Sequence, residues 1–327
     1  MRLLIYEPAL RRVEKAIDPY RSQLQLLVVD SEGAITSGGE SFDVDTDQPD
    51  AAWMSADSMG TGQRSLMVGA LKSQNLTWVH TGAAGLDHPI WAQLVDKGAV
   101  LTTGHGQALC IAEYVLAEVL ATFQRISERR AEQAAHRWTR LPFREIAGTS
   151  WLVIGFGAIG QDVAARAKAF GATIVGVRRS GKPDSLAEHM GLLPEVNSLL
   201  PAADVVVLAT PLNQETKGMA DAAFFAAMKS GSVLVNVGRG DLVDEPALLA
   251  ALAAGVPTHA ILDVFHDEPL KDDSPFWEHP KVSLTPHSSA FGSGQAARND
   301  AIFVENLHRR LAGEPMLYEA DPRDLGR

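Results

Sequence analysis

"WLVIGFGAIGQDVAARAKAFG", residues 151–171, sets the frame for the whole chain. Four apolar residues run into Gly155-Phe156-Gly157-Ala158-Ile159-Gly160, and a stretch with helical spacing follows at once. Each glycine has a physical task in that arrangement: a tight turn, close approach of backbone to a pyrophosphate, and close packing of helix on strand. The helix that begins there offers N–H groups and a partial positive charge to phosphate. Glycine turns also occur for purely structural reasons. The strand–turn–helix context is what points to a dinucleotide.

In such a unit the second strand ordinarily ends in an acidic residue, about 20 residues on, that accepts a hydrogen bond from the ribose 2′-hydroxyl. Here "TIVGVRRSG", residues 173–181, ends in Arg178 and Arg179. An arginine cannot accept that bond, but its fork can grip a 2′-phosphate in bidentate fashion. Arg179 and the Ser180 hydroxyl would add donors. The competing reading is a solvated loop with two surface charges. Placement relative to the glycines favours NADP(H), with NAD(H) use still possible.

Short apolar runs alternate with helical stretches for most of the length, the pattern of parallel sheets with crossover helices. "WLVIG", "TIVGV", "DVVVLAT", "SVLVNV", "HAILDV" and "VSLTP" read as strands of the glycine-turn domain. "RLLIY", "LQLLVV", "AAWMS", "LTWVH" and "AVLTT" read as strands of a separate N-terminal set. One long helix is expected from about Gln107 to Ala131, and a last one from about Ala290 to Ala312. The expected fold is α/β, with two Rossmann-like or flavodoxin-like domains built on doubly wound parallel sheets. The nucleotide domain, residues 104–286, would be inserted in a substrate domain formed by residues 1–103 and 287–327.

The 327 residues are 46% hydrophobic and 21% charged, ordinary globular composition. A formal charge of −11 argues against a general partner for nucleic acid or acidic membrane, since phosphate attracts basic surfaces. No run approaches the roughly 20 apolar residues of a membrane span. The opening "MRLLIYEPALRR" returns to charge too soon for a secretory leader. The single cysteine, Cys110, suits a reducing compartment and reads as a packed core thiol. A cytoplasmic location is the expectation.

Open α/β sheets bind ligands at the carboxyl edge of their strands. "VLVNVGRGDLVDE" delivers Arg239 there, "AILDVFHDEP" delivers Asp263 and Glu268, and "VSLTPHSSA" delivers His287. An arginine can hold a substrate carboxylate and polarise a neighbouring carbonyl. A histidine can protonate the carbonyl oxygen as hydride reaches carbon. A carboxylate beside the histidine fixes its tautomer and favours its charged form. Taken singly, each is better explained as a loop or salt-bridge residue; together they are the set that reduction of a 2-keto acid requires. The remaining histidines (His80, His88, His105 and His136 among them) have no metal-ligand spacing, so no metal is expected.

With "GFGAIG", "ATPLNQET", "LVNVGRGDLVDEPALLAAL", "AILDVFHDEPL", "FWEHPKVSLTPH" and, more loosely, "TGAAGLDHPIW" in this order, the chain resembles the D-isomer-specific 2-hydroxyacid dehydrogenases. The resemblance covers nearly the whole chain and is densest from Trp151 to Ser289. It implies Arg239, Glu268 and His287 as the catalytic set. It implies cofactor contacts from Gly155, Phe156, Gly157, Ala158, Ile159, Gly160, Arg178, Arg179, Ser180, Thr210, Pro211, Leu212, Thr216, Val237, Gly238, Arg239, Asp263, His287 and Ser288.

On the substrate side, the resemblance implies that backbone N–H groups of Ala83, Ala84 and Gly85 bind the carboxylate together with Arg239 and His287. In some members a tryptophan in the place of Trp138 reaches the partner subunit's active site; a packing aromatic is the other reading of that residue. A homodimer is expected, with the helix from Gln107 at its interface. Within the family the chain looks most like the glyoxylate/hydroxypyruvate reductases. Phosphoglycerate and other hydroxyacid dehydrogenases, or a nucleotide-sensing corepressor on the same fold, are the alternatives. Three departures bear on substrate choice: the shortened loop at Ala83-Ala84-Gly85, "EYVL" at 113–116, and "FGSGQAARND" after His287, where Phe291 could narrow the pocket.

Overall fold

A computed structural model describes residues 1–41, 48–58, 60–83 and 85–325. The chain divides into two compact units, one of Met1–Gln107 with Ser293–Arg327 and the other of Ala108–Gly292. The strands are β1 (Arg2–Tyr6), β2 (Gln25–Val29), β3 (Ile35–Ser37), β4 (Glu40–Ser41), β5 (Ala51–Met54), β6 (Trp78–Thr81), β7 (Val100–Thr103), β8 (Ser150–Ile154), β9 (Thr173–Val177), β10 (His189–Gly191), β11 (Val205–Leu208), β12 (Val233–Asn236), β13 (His259–Leu262) and β14 (Val282–Leu284). The α-helices are α1 (Glu7–Ile17), α2 (Gly60–Lys72), α3 (Pro89–Asp96), α4 (Ala108–Phe123), α5 (Ile126–Ala134), α6 (Ala158–Ala169), α7 (Val196–Leu199), α8 (Ala222–Ala227), α9 (Glu245–Ala254) and α10 (Gln295–Ala312).

The unit of residues 108–292 orders its sheet β10-β9-β8-β11-β12-β13-β14, all pairs parallel. The order reverses at β8, where the glycine turn leaves the sheet, so the turn opens at a topological switch point. Alternation along the strands feeds two cores. Val153, Val205, Val207, Val233 and Val235 face α4 and α6, while Leu152, Ile154, Val206, Leu208 and Leu234 face α8 and α9. Buried on both faces, these strands read as continuous apolar runs.

The other unit orders its sheet β4-β3-β2-β1-β5-β6-β7. Its β2-β3-β4 edge is antiparallel, unlike the parallel sheet expected. The reason is local: Asp30 Oδ1 accepts from the N–H of Glu32 and of Ala34, each at 2.9 Å, closing a turn too short for a crossover. Trp53 of β5 stacks on Phe303 of α10 with ring centroids 3.8 Å apart.

Two expected helices change. The long one breaks after Phe123, where the Phe123 carbonyl accepts from Arg144 N–H at 3.1 Å and the Gln124 carbonyl from Arg129 Nε at 2.6 Å. Arg125 adopts the left-handed region at φ 56°, and α5 starts anew. The last helix begins at Gln295 rather than Ala290.

The division between units also falls later at both crossings than the 103/104 and 286/287 boundaries read from the sequence. Residues 104–107 are held to α10, since Gly106 N–H donates to Asn299 Oδ1 at 2.8 Å and Arg298 Nε to the Gly106 carbonyl at 2.7 Å. Residues 287–289 are held to Asp263, at the end of β13. Among the described residues no helix is long and apolar enough to cross a membrane.

Candidate active site

The three glycines behave differently once placed. Gly155 has φ +97°, and a Cβ there would overlap the backbone of Ala209 and Thr210. A Cβ on Gly160 would overlap the Gly155 carbonyl, so α6 packs directly on the turn. Around Gly157 a Cβ would meet nothing within 4 Å. Neighbouring atoms thus account for two of the glycines. The open space at Gly157, beside the uncapped N-terminus of α6, fits the approach of a dinucleotide pyrophosphate. Phe156 turns its side chain into the core, leaving only its backbone on the turn.

At the tip of β9, Arg178 does not stand open. Its Nε donates to the Lys182 carbonyl at 3.1 Å, its Nη2 to the carbonyls of Lys182 and Pro183, and Nη1 pairs with Asp184 at 3.4 Å. Arg179 and Ser180 are exposed on the same loop. Lys182, which sequence reasoning passed over, adds a cation there. In the next loop, the Thr216 hydroxyl donates to the Pro211 carbonyl at 2.8 Å and accepts from Asn213 N–H at 2.9 Å. Thr216 is buried, so its side chain braces the loop that carries Thr210, Pro211 and Leu212.

Arg239 follows β12 on a turn built by Asn236, a buried residue that the sequence reading missed. Asn236 Nδ2 donates to the Arg239 carbonyl at 2.9 Å, and its Oδ1 accepts from Gly238 N–H at 3.1 Å. Val237 and Gly238 are buried within the turn. Asparagine closing an apolar strand before a glycine is a turn signal that could have found it. Gly240 then lets two loops meet: a Cβ there would sit on the Phe265 carbonyl and the His266 nitrogen. The segment behind Arg239 and the segment before Glu268 are therefore in backbone contact.

His287 Nδ1 lies 2.7 Å from Glu268 Oε2, and Glu268 Oε1 accepts from Phe265 N–H at 3.0 Å. The pairing commits Nδ1 and leaves Nε2 as the ring nitrogen available for proton transfer. The His287 side chain is 47% exposed, so solvent and small molecules reach it. Its backbone sits in the left-handed region at φ 50°, held by N–H bonds to the carbonyls of Asp263 (2.8 Å) and Thr285 (3.0 Å).

Asp263 is 1% exposed, and its carboxylate is surrounded by the His287 loop. It accepts from the Thr285 hydroxyl at 2.6 Å, Ser288 N–H at 2.9 Å, Ser289 N–H at 3.1 Å, and the Ser289 hydroxyl. What it touches is the loop that aims the histidine. Tyr114, in the "EYVL" departure, shares a 2.9 Å hydrogen bond with that same Thr285 hydroxyl, and burial pushes its phenol pKa up.

In the unit of residues 1–107 and 293–327, Ala83 N–H donates to the Thr81 hydroxyl at 3.1 Å instead of standing open for a carboxylate. Gly85 continues the loop, and Ala84 lies outside the described residues. His80 is fully buried beside Thr102, and burial, with the charge of His105 adding to it, pushes its pKa down to about 3. Burial also lowers His105, which lies against Tyr318 at 4.0 Å between ring centroids. Trp138 is 97% exposed on the segment after α5, and Phe291 is 79% exposed four residues after His287.

A model of the D-isomer specific 2-hydroxyacid dehydrogenase NAD-binding domain matches residues 116–289. The chain is 33% identical to the D-3-phosphoglycerate dehydrogenase of Methanocaldococcus jannaschii over 248 residues, 74% of this chain but only 47% of that relative. It is 36% identical to glyoxylate/hydroxypyruvate reductase B of Citrobacter koseri over 222 residues, 66% of this chain and 68% of the relative. Among solved structures, a D-isomer specific 2-hydroxyacid dehydrogenase of Xanthobacter autotrophicus Py2 in complex with NADPH and MES is similar with a TM-score of 0.75. It is 27% identical, covering 98% of this chain and 99% of that one.

Proposed function

The chain belongs to the D-isomer specific 2-hydroxyacid dehydrogenases, and on that basis we propose that it is an NADPH-dependent reductase of small 2-keto acids, glyoxylate and hydroxypyruvate first among them. The observation that carries this reading is the 2.7 Å pair of His287 Nδ1 and Glu268 Oε2, on a loop in backbone contact with the turn of Arg239.

The Arg239 guanidinium holds the substrate carboxylate and polarises the keto oxygen. His287 gives its Nε2 proton to that oxygen, and Glu268 holds the ring by Nδ1 so that Nε2 faces the reaction. When bound, the nicotinamide supplies the hydride that the keto carbon takes up. Hydride and proton together make the 2-hydroxy acid.

For the nucleotide, Gly155 to Gly160, Thr210 to Leu212, Thr216, Val237 to Arg239, Asp263, His287 and Ser288 line the proposed path. Arg178, Arg179 and Ser180 are the proposed 2′-phosphate side, with Lys182 beside them. A solved relative carrying NADPH supports the choice of cofactor. The backbone of Ala83 to Gly85 is proposed to help hold the carboxylate once the Ala83 N–H leaves Thr81. A cytoplasmic homodimer, with Trp138 turned toward the partner, completes the proposal.

The similarity to a phosphoglycerate dehydrogenase favours a second reading, in which the acid carries a phosphate. One panel separates them: NADPH and NADH, each with glyoxylate, hydroxypyruvate, phosphohydroxypyruvate, pyruvate and a phenyl-substituted keto acid. Highest kcat/KM for glyoxylate or hydroxypyruvate with NADPH is expected. A preference for the phosphorylated or the aryl acid would overturn the assignment, and no turnover of any would leave the corepressor reading.

A further inference from the structure

Two loops carry the proposed chemistry of the 108–292 unit, and a histidine outside the catalytic set joins them. His266 Nδ1 is hydrogen-bonded to Asp241 Oδ1, two residues after Arg239. Its backbone N–H donates to Glu245 Oε1 at 2.8 Å, at the start of α9. On its other side, Phe265 N–H donates to Glu268 Oε1 at 3.0 Å. Gly240 has no side chain at the point where the Phe265 carbonyl and the His266 nitrogen press against it.

We propose that His266 is a positioning residue, latching the turn that carries Arg239 to the loop that carries Glu268, with a strength that depends on the charge of its ring. Two of the three ties, the Gly240 approach and the bond from the His266 N–H to the Glu245 carboxylate, do not use the imidazole and persist when His266 or Asp241 is replaced. The third belongs to the imidazole alone. Around it lie the carboxylates of Asp241, Asp267 and Glu245; the nearby cation, Lys271, pairs with Asp267 at 2.6 Å. The Asp241 hydrogen bond, with the charges of Asp241, Asp267 and Glu245 acting the same way, raises the His266 pKa above its ordinary value. Below that raised pKa the latch is an ion pair, and above it a weaker neutral hydrogen bond. The side chain is 61% exposed, so salt screens the pair and its effect is modest.

The proposal rests on Arg239 holding substrate and Glu268 holding His287, so its test has an arm that needs no turnover. KM and kcat for glyoxylate at saturating NADPH are measured from pH 5.5 to 9 in the parent, His266→Leu, His266→Arg and Asp241→Asn. An exposed ion pair is worth roughly a two- to fivefold change. His266→Leu and Asp241→Asn should raise KM by about that factor at the acid end of the range, and the difference from the parent should narrow as pH rises and the parent ring loses its charge. His266→Arg, which keeps a cation at every pH, should hold the low-pH KM to pH 9. A ratio of KM values that does not change with pH, or an arginine variant that behaves like leucine, overturns the latch. Independently, amide exchange of Phe265 is compared in the same proteins. An excess of exchange in His266→Leu over the parent that is larger at pH 6 than at pH 9 supports the latch even if no keto acid is reduced, in which case the functional reading alone falls. Unchanged Phe265 exchange at both pH values removes the latch whatever the activity.

Discussion

Each unit packs helices against a sheet that is seven-stranded among the described residues, yet the two differ in how fully their buried polar groups are paired. In the 108–292 unit such groups are tied to the backbone of nearby loops. Asn236 holds the Arg239 turn, Asp263 holds the His287 loop, and Asp204 joins Ser150 N–H to Lys229 and Arg144. In the other unit Trp53 Nε1, His80 Nε2, His105 Nδ1 and Asn299 Nδ2 are buried with no partner among the described residues, against Ser232 Oγ in the first. The lesson is that the first unit uses buried polarity to aim side chains at its sheet edge. The second also ties buried polar groups to its loops, as Asn306 does with the Leu317 backbone, but leaves several buried polar atoms unpaired among the described residues, and an unsatisfied buried group reduces stability. Substitutions in the first should therefore be felt in rate, and substitutions in the second in stability.

The largest expected effect tests the first half of that contrast. His287→Ala should lower kcat/KM for glyoxylate by about 10²- to 10⁴-fold, the usual worth of a general acid, at every pH measured. Its melting temperature should stay near the parent's, because the side chain is half in solvent. Glu268→Gln keeps the shape and an acceptor for the ring while removing the charge. It should slow reduction and leave NADPH binding largely intact. A drop in stability that accounts for the lost rate would collapse the contrast between the units.

The arginines at the tip of β9 come next. Losing a charge-assisted contact removes roughly 1.5–3 kcal/mol, about 10- to 150-fold. Since Arg178 also binds the carbonyls of Lys182 and Pro183, its replacement can act in two ways. If Arg178 grips the 2′-phosphate, Arg178→Asp should weaken NADPH by that factor and leave NADH alone. If it only staples the loop, both cofactors should weaken together, and the discrimination should pass to Arg179→Asp. A parent enzyme that uses NADH as well as NADPH would dismiss the phosphate role of the whole loop.

For the other unit the readout is acid stability. An unfolded histidine titrates near 6.5, whereas buried His80 is held down to about 3. Between those values the unfolded chain binds a proton that the folded chain refuses, so stability is complete above pH 6.5 and declines as pH falls. From pH 7.5 to pH 5 the decline attributable to this one group is about 2 kcal/mol. His105 and His259 are also lowered and add to the parent's slope. The difference between parent and His80→Gln in urea titrations isolates His80. Equal slopes in the two proteins would show that His80 is not held neutral.

What could be read from the residues divides by the distance over which each feature is decided. Gly160 does its structural work within one turn, against the Gly155 carbonyl, and the spacing of three glycines before a helix reveals it, whereas Gly155 also makes room for Ala209 and Thr210 after β11. The strands of the 108–292 sheet are legible because burial on both faces leaves unbroken apolar runs. Thr216 and Ala83 look open in the sequence, but Asn213 with Pro211, and Thr81, take up their polar groups at short range. The break after Phe123 depends on Arg144, beyond the next helix, and no periodicity within the helix carries that information. The contact of His266 with Asp241 needs two loops to meet at Gly240, so only the fold reveals it.

The smallest expected effect on the subunit itself concerns Trp138. At 97% exposure it contributes almost no burial within the chain, so Trp138→Ala should change subunit stability by no more than about 0.5 kcal/mol. The segment that carries it is fixed, however. Arg137 and Thr139 both bond to Glu132, at 2.9 and 2.6 Å, and Arg129 donates to the Leu141 carbonyl at 2.9 Å while its guanidinium lies over Phe143. In the proposed homodimer this aromatic, held out on a braced segment, would be covered by the partner subunit. A homodimer is the expected state in light scattering at micromolar protein. Trp138→Ala should then shift assembly or raise KM for glyoxylate while the melting temperature of the subunit holds. A parent that scatters as a monomer would remove the partner from the account and leave Trp138 as an exposed aromatic with no part in either unit's chemistry.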